Sequence, residues 1–337
     1  MKCVSAEHPG GPDVLRVVET ALPEPSPDEV LIAVEAAGVS RADVMQRQGR
    51  YPPPPGASPI LGLEVAGTIA ATGSRVRRWS VGERVCALTN GGGYAEYVAV
   101  PDGQVLAAPE GWSAIESATL PENAFTVYDN LIERARLQRG ETVLIHGGTS
   151  GIGSTAIMFA RAVGARAVAT AGSDDKCAAC RRMGAVHAIN YRAADFVAET
   201  KAATGGSGAD VILDIVGGDY IARDLEALAL DGRIVCLATP SGSVIELDLR
   251  RLFVKRGALL GSSLRPRSDA EKAAIARKLA RDVWPLLPRR DPIVPLVDSV
   301  FTFERAAEAH TRLESSRHVG KIVLVPSEAN TDLVNGK

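Results

Sequence analysis

The sequence predicts an α/β protein in which a doubly wound parallel sheet follows a small, irregular β-barrel. Three observations predict it. From 141 to about 264, short apolar runs alternate with helical stretches, as a parallel sheet covered on both faces requires. That region opens with residues 141–153, ETVLIHGGTSGIG, which read as a strand, a glycine-rich turn and a helix start. Residues 1–110, by contrast, carry glycine or proline every few positions between short β-branched runs, a density of turns that suits a small barrel.

Taken in order, 30–36 (VLIAVEA) and 65–71 (VAGTIAA) are predicted strands. The stretch 51–56, Tyr51 followed by four prolines and Gly56, is an extended loop, because proline removes donors and clashes with a preceding helical turn. Residues 81–85 lead into another short strand, and Gly91-Gly92-Gly93 is a turn before a strand at 94–100. Helical stretches at 114–120 and 126–134 then reach the glycine-rich motif. Beyond it, strands are predicted at 143–146, 167–171, 188–190, 211–215, 234–237 and 259–262. Helices are predicted between them at 154–163, 176–183, 195–203, 221–228 and 247–254. Helices at 269–283 and 303–315, a last strand at 321–325 and a polar, frayed end at 327–337 complete the chain. Three segments result: 1–122, 123–264 and 265–337, the last returning to the first.

Composition excludes several function classes. The chain has 337 residues, 46% hydrophobic and 23% charged, with a net charge of −2. Nucleic acid and membrane surfaces favour a basic excess, which is missing here. No run approaches the roughly 18 apolar residues of a spanning helix, and the first residues lack the apolar core of a signal peptide. Five scattered cysteines read as reduced thiols, which points to the cytoplasm.

The glycine-rich stretch suits a phosphate. Glycines admit a close backbone approach, and a helix N-terminus offers free N–H groups and a positive dipole end. The pattern departs from G-x-G-x-x-G, since Ser150 stands at the second glycine position, so alone it also fits a simple tight strand–helix turn. The second strand of this region ends at Ala171-Gly172-Ser173-Asp174-Asp175-Lys176. An NAD site usually places an acid at that strand's end for the ribose hydroxyls. Here the strand's end is Ala171-Gly172, and Ser173 with Lys176 suits a 2′-phosphate, which favours NADPH. Asp174 and Asp175 must then face solvent and cap the next helix, and Lys176 reads otherwise as a solvated helix residue.

Residues 38–67 (GVSRADVMQRQGRYPPPPGASPILGLEVAG), GGGYAEYV at 91–98, IHGGTSGIG at 145–153, AGSDDK at 171–176, INY at 189–191, LDIVGG at 213–218, LALDGRIV at 228–235 and GKIVL at 320–324 carry a resemblance. The chain resembles the zinc-free, zeta-crystallin-like quinone oxidoreductases of the medium-chain dehydrogenase/reductase superfamily, over about residues 1–326. Residues 38–67 look closest to the tumour-suppressor-inducible subgroup. The resemblance implies a GroES-like catalytic domain, a Rossmann NADPH domain with a cleft between them where nicotinamide meets substrate, and a homodimer paired through the sheet edge near 258–263. Zinc-dependent members place a cysteine where this chain has Ser40 and a histidine where it has Leu63, before Glu64; the later four-cysteine zinc lobe is missing. A leucine cannot ligate zinc. Cys177-x-x-Cys180 lies in a predicted helix with no second ligand pair, and the five histidines show no H-x-x-x-H spacing, so no metal is expected.

Without zinc, the substrate must accept hydride readily, which favours quinones and other conjugated carbonyls. Negative charge then develops on the acceptor oxygen, and a nearby donor stabilises it. Tyr51 is the catalytic candidate, the matching family tyrosine lining the cleft; its other reading is packing on the prolines. Ser40, Gln46 and Asn123 are the substrate-binding candidates. The cofactor-binding candidates are Thr126, Gly148, Ser150, Gly151, Ile152, Gly172, Ser173, Lys176, Tyr191, Val216, Leu237, Leu264 and Lys321. Two other readings stand beside quinone reduction: reduction of an enone, enal or enoyl thioester, and a non-catalytic NADPH-binding role, since relatives serve as lens crystallins and bind single-stranded RNA. No basic, aromatic-interleaved patch supports the last.

Overall fold

The computed structural model describes residues 1–326; the polar stretch 327–337, expected to be frayed, lies outside them. The chain divides into two units. One spans Thr126–Leu264 and Asp291–Val294; the other gathers Met1–Phe125, Arg265–Arg290 and the chain from Pro295 onward.

The first of these units is built on six parallel strands: β1 (Thr142–Ile145), β2 (Arg166–Ala171), β3 (His187–Asn190), β4 (Ala209–Asp214), β5 (Leu228–Cys236) and β6 (Ala258–Gly261). Their order is β3-β2-β1-β4-β5-β6. The chain therefore starts in the middle of the sheet and winds out to each edge, leaving a reversal between β1 and β4 where such sheets bind ligands. Leu144, Val168, Ile212 and Ile234 are fully buried and pack with Phe196 and Leu225. β5 starts six residues earlier than the predicted 234, because Leu228 already pairs with Ala209 and the register then shifts before Val211. Asp231 takes a positive φ of 60° within that strand, a break that hides it from a reading based on alternation. β6 is the outer strand at the edge expected to pair two copies.

The helices follow the expected alternation: α1 (Gly151–Val163), α2 (Asp174–Met183), α3 (Phe196–Ala203), α4 (Tyr220–Ala227) and α5 (Leu249–Lys255). α1 begins at Gly151 rather than 154, because the Ser150 hydroxyl accepts from Gly153 N at 3.0 Å and caps the helix there. Gly151 and Gly153 thus belong to the first helical turn. A Cβ on Gly153 would stand 2.2 Å from the Gly147 carbonyl oxygen, so the helix can approach β1 this closely only without a side chain. Gly164 ends α1 in the left-handed conformation, φ 78°.

In the other unit, Glu29–Val39 is the central strand of a seven-stranded sheet. It pairs with Glu64–Thr72 on one side and shares the other between Tyr97–Pro101 and Lys321–Val325. The last strand thus completes a sheet begun near the N-terminus. Val30, Ile32, Val65, Ile69, Tyr94, Ile322 and Leu324 form its core with Phe303. The strand predicted at 94–100 runs Tyr97–Pro101, since Tyr94 turns its ring fully inward. Reading for periodicity overlooks the pair Lys2–Ala6 and Leu15–Glu19, the strand Val297–Thr302 and the helix Arg41–Arg47. The 51–56 loop is non-helical, as its prolines require. Among the described residues no helix is long and apolar enough to cross a membrane.

Gly153→Ala should lower the unfolding free energy by about 1–3 kcal/mol, the usual effect of overpacking a close contact. Urea unfolding followed by circular dichroism measures it. An unchanged midpoint would show that α1 can retreat from β1.

Candidate active site

In the parallel-sheet unit the candidate cofactor residues collect beyond the C-terminal ends of the strands. After β1, the Gly147 and Gly148 N–H groups donate to Thr170 of β2, at 3.3 Å to its hydroxyl and 2.9 Å to its carbonyl. His146 holds the same hydroxyl through Nδ1 at 3.1 Å, and its Nε2 meets Asp224 at 2.8 Å, both side chains fully buried. This dyad under the turn was not foreseen. A Cβ on Gly148 would come within 2.7 Å of Cys180 Sγ. The turn therefore lies flat on its neighbours, while the N–H groups of Gly151 and Ile152 at the start of α1 have no acceptor within the helix. That is an anion cradle.

After β2, Ser173 caps α2, its hydroxyl accepting from Lys176 N at 3.3 Å. Asp174 and Asp175 are exposed, as expected. Neither caps the helix: Ser173 does, and Asp174 accepts from Asn190 Nδ2 at 2.8 Å, which ties α2 to β3. A Cβ on Gly172 would lie 2.8 Å from the Tyr191 hydroxyl, so Gly172, Ser173 and Tyr191 come together. After β4, the buried Asp214 carboxylate accepts from Val216 N at 2.5 Å and Gly217 N at 3.1 Å, while its carbonyl accepts from Leu237 N at 2.9 Å. Asp214 thus fixes both Val216 and Leu237. Leu264, half-buried, follows β6. The hydroxyl of buried Thr126 has no hydrogen-bond partner among the described residues. An orphaned buried hydroxyl, a glycine cradle and the Gly172–Ser173–Lys176 end of β2 fit an NADP-type dinucleotide.

The other unit holds the substrate candidates. Ser40 opens the helix Arg41–Arg47; its N–H and hydroxyl both donate to Asp43 Oδ2, at 2.8 and 2.9 Å. That helix carries Gln46, whose Nε2 donates to the Pro59 carbonyl at 2.9 Å and whose Oε1 accepts from Arg265 at 2.7 Å. Tyr51 is half-buried, and the Arg265 guanidinium lies 5.3 Å from its ring centroid. Its hydroxyl has no partner among the described residues. Asn123 is buried, with its amide donating to the Thr119 carbonyl at 3.1 Å. Leu63 is buried as well. Among the described residues no three of His, Cys, Asp or Glu converge as a metal would require.

Lys321, expected among the cofactor ligands, lies in this unit, buried, with its ammonium on Glu64. Burial disfavours its charge, but Glu64 and Glu122 hold the ammonium above its ordinary value. Glu64 Oε2 also accepts from Glu122 N at 2.9 Å, and Asp43 Oδ1 from Gly62 N at 2.9 Å. Burial, reinforced by the Glu64 and Asp43 charges, pushes the Glu122 carboxyl up to about 7 against the pull of Lys321. Nearby, burial and then the Arg47 charge push His310 down to about 3, so its ring is neutral. Arg47 donates to its Nδ1 at 3.2 Å, which leaves the proton on Nε2 to meet the Tyr94 oxygen at 3.2 Å. No charge pattern in the sequence announces this network, because its members are far apart in the chain. Arg265 and Lys272 were missed for the same reason.

A parallel sheet with this order and a capped glycine turn at its reversal is the arrangement of a dinucleotide-binding protein. Residues 26–110 match the alcohol dehydrogenase GroES-like domain, and residues 151–279 the zinc-binding dehydrogenase domain. The rat quinone oxidoreductase is 31% identical over 96% of this chain and 98% of its own. The structure of Escherichia coli quinone oxidoreductase complexed with NADPH superposes with a TM-score of 0.84, at 28% identity, over 97% of this chain and 100% of that one. The CurK enoyl reductase structure gives a TM-score of 0.84 at 27% identity, over 96% and 98%. The chain belongs to the quinone oxidoreductase family of the medium-chain dehydrogenase/reductase superfamily, and it is an oxidoreductase.

Glu122 gives the buried network a pH signature. The folded chain keeps this proton up to about pH 7, whereas a free carboxyl releases it near 4.5. The folded state therefore binds more protons between those values, and stability falls as pH rises through that window and levels off above it. Glu122→Gln should remove this component. The variant should gain on the wild type by about 1–3 kcal/mol between roughly pH 5 and pH 8. Urea unfolding at both pH values tests this; a constant difference would place the titration elsewhere.

Proposed function

We propose that this chain is a zinc-independent, NADPH-dependent reductase that transfers hydride to quinones. The carrying observation is what occupies the two positions where metal-dependent members of the superfamily hold zinc: Ser40, whose hydroxyl donates to Asp43, and Leu63, a buried apolar side chain. Without a Lewis acid to polarise a simple carbonyl, the acceptor must take hydride at a conjugated position, as a quinone does. Full-length similarity to quinone oxidoreductases supports the same reading.

NADPH, when bound, supplies the hydride. The turn at Gly148–Ser150 and the α1 N-terminus hold its pyrophosphate, and Ser173, Lys176 and Tyr191 surround the adenosine 2′-phosphate. Tyr51 donates a hydrogen bond to the acceptor oxygen as charge builds there. Quinone oxygens also take protons from water, so proton delivery need not limit the rate. Reduction of an enone or enoyl thioester is the second reading; it uses the same charge development, and the whole-length likeness to an enoyl reductase favours keeping it. NADPH oxidation against a panel of quinones and enones separates the two.

Lys176→Ala should weaken NADPH binding while leaving NADH nearly unchanged, as read by nicotinamide fluorescence titration. Equal affinity of the wild type for both cofactors would sink the NADP assignment.

Tyr51→Phe should reduce turnover more than about tenfold with the quinone used best, at unchanged NADPH affinity, since loss of a positioned donor typically removes about 10²–10³ in rate. If turnover stays within a factor of about two with the fold intact, Tyr51 is a packing residue and catalysis rests on orientation alone.

A further inference from the structure

We propose that Arg265 is the positioning residue that aims and polarises Tyr51 for the developing oxyanion, an inference that rests on the assignment of Tyr51 as the donor. Arg265 is the first residue of the chain's return to this unit and is only 6% exposed. Its guanidinium reaches three segments at once. Nη2 donates to Gln46 Oε1 at 2.7 Å and to the Asn90 carbonyl at 2.8 Å, and Nη1 donates to the Tyr51 carbonyl at 3.3 Å. Its central carbon lies 5.3 Å from the Tyr51 ring centroid, within cation–π range. Lys272, fully buried in the helix Asp269–Asp282, donates to the Arg265 carbonyl at 2.8 Å and to Asn90 Oδ1 at 2.6 Å.

The charge balance is what separates this cluster from a plain clamp. Every acceptor named above is neutral, and neither cation makes an ion pair among the described residues. Asp43 acts on Arg265 through space, but its oxygens accept from Ser40 and Gly62. Asp269 and Glu271, which act on Lys272, accept from Gln104 and Ser268. Two buried cations without a paired carboxylate are unfavourable in the free protein. They become favourable when negative charge appears nearby, which is the arrangement that stabilises a charged transition state. A positive charge against the tyrosine ring draws density from the phenol, and the phenol O–H becomes the stronger donor. Held by its carbonyl, Tyr51 is also fixed in the loop that presents it.

The test is a double-mutant cycle read with the best quinone. Arg265→Met should lower kcat roughly tenfold or more while the NADPH dissociation constant, from fluorescence titration, stays within a factor of about two. Arg265→Lys, which keeps the charge but not the fork, should recover part of that loss. In the Tyr51→Phe background Arg265→Met should add less than about twofold, because its effect passes through the phenol. Should Arg265→Met fail to fold by thermal melting, Arg265→Lys is carried through the same cycle. It should lower kcat about threefold or more in the wild type and add less than about twofold in Tyr51→Phe. Equal losses in both tyrosine backgrounds, wild-type turnover in Arg265→Lys, or indistinguishable Lys and Met variants would overturn the inference. Normal turnover in Tyr51→Phe alone would remove the donor assignment and this inference together. A normal Tyr51 effect with additive Arg265 losses removes only this one.

Discussion

One buried ammonium organises the sheet that carries the candidate substrate residues. Lys321 sits within reach of Glu64, Glu122 and Asp43, and a charge taken out of water must be matched or it destabilises the fold by several kcal/mol. Matching it brings four distant segments together. The last strand delivers Lys321, and the strand Glu64–Thr72 starts at its partner. The helix Pro121–Val127 docks by the Glu122 N–H on Glu64, and Asp43 fixes Ser40 and Gly62. The segment between Ser40 and Gly62 contains Gln46 and Tyr51. The segment with these candidates is therefore pinned at both ends by the same electrostatic requirement.

The parallel-sheet unit solves a different problem, the close approach of a glycine turn to its neighbours. Its solution is steric and local. Gly148 and Gly153 have no room for a Cβ, and Ser150 and Ser173 cap the two helices that start at the strand ends. Capping occupies a lone pair on each serine but leaves its hydroxyl proton available, so one residue can end a loop and still meet a phosphate. Behind the turn, the His146–Asp224 pair and Thr170 hold the glycines from below.

The two units thus rest on different physical constraints. Where a metal supplies the positive charge, the surrounding residues orient its ligands and tune it. Here the guanidinium within cation–π range of Tyr51 is that of Arg265, with Lys272 behind it.

What the sequence determined alone was everything that depends on neighbours in the chain. The apolar run before Gly147, the serines at 150 and 173, Gly164 after α1 and the prolines at 52–55 each act within a turn or two. Their structures therefore followed from local sterics and hydrogen bonding. The exact starts of α1 and β5 shifted where a cap or a strand pairing competed with periodicity. Only the tertiary structure decided the rest. Burial turned Lys321 onto Glu64, kept His310 neutral beside Arg47, and set Arg265 over Tyr51 across more than two hundred residues of chain. Whether a charge is solvated, paired or left facing a substrate is settled by desolvation, and desolvation is a property of the packed fold rather than of the residue order.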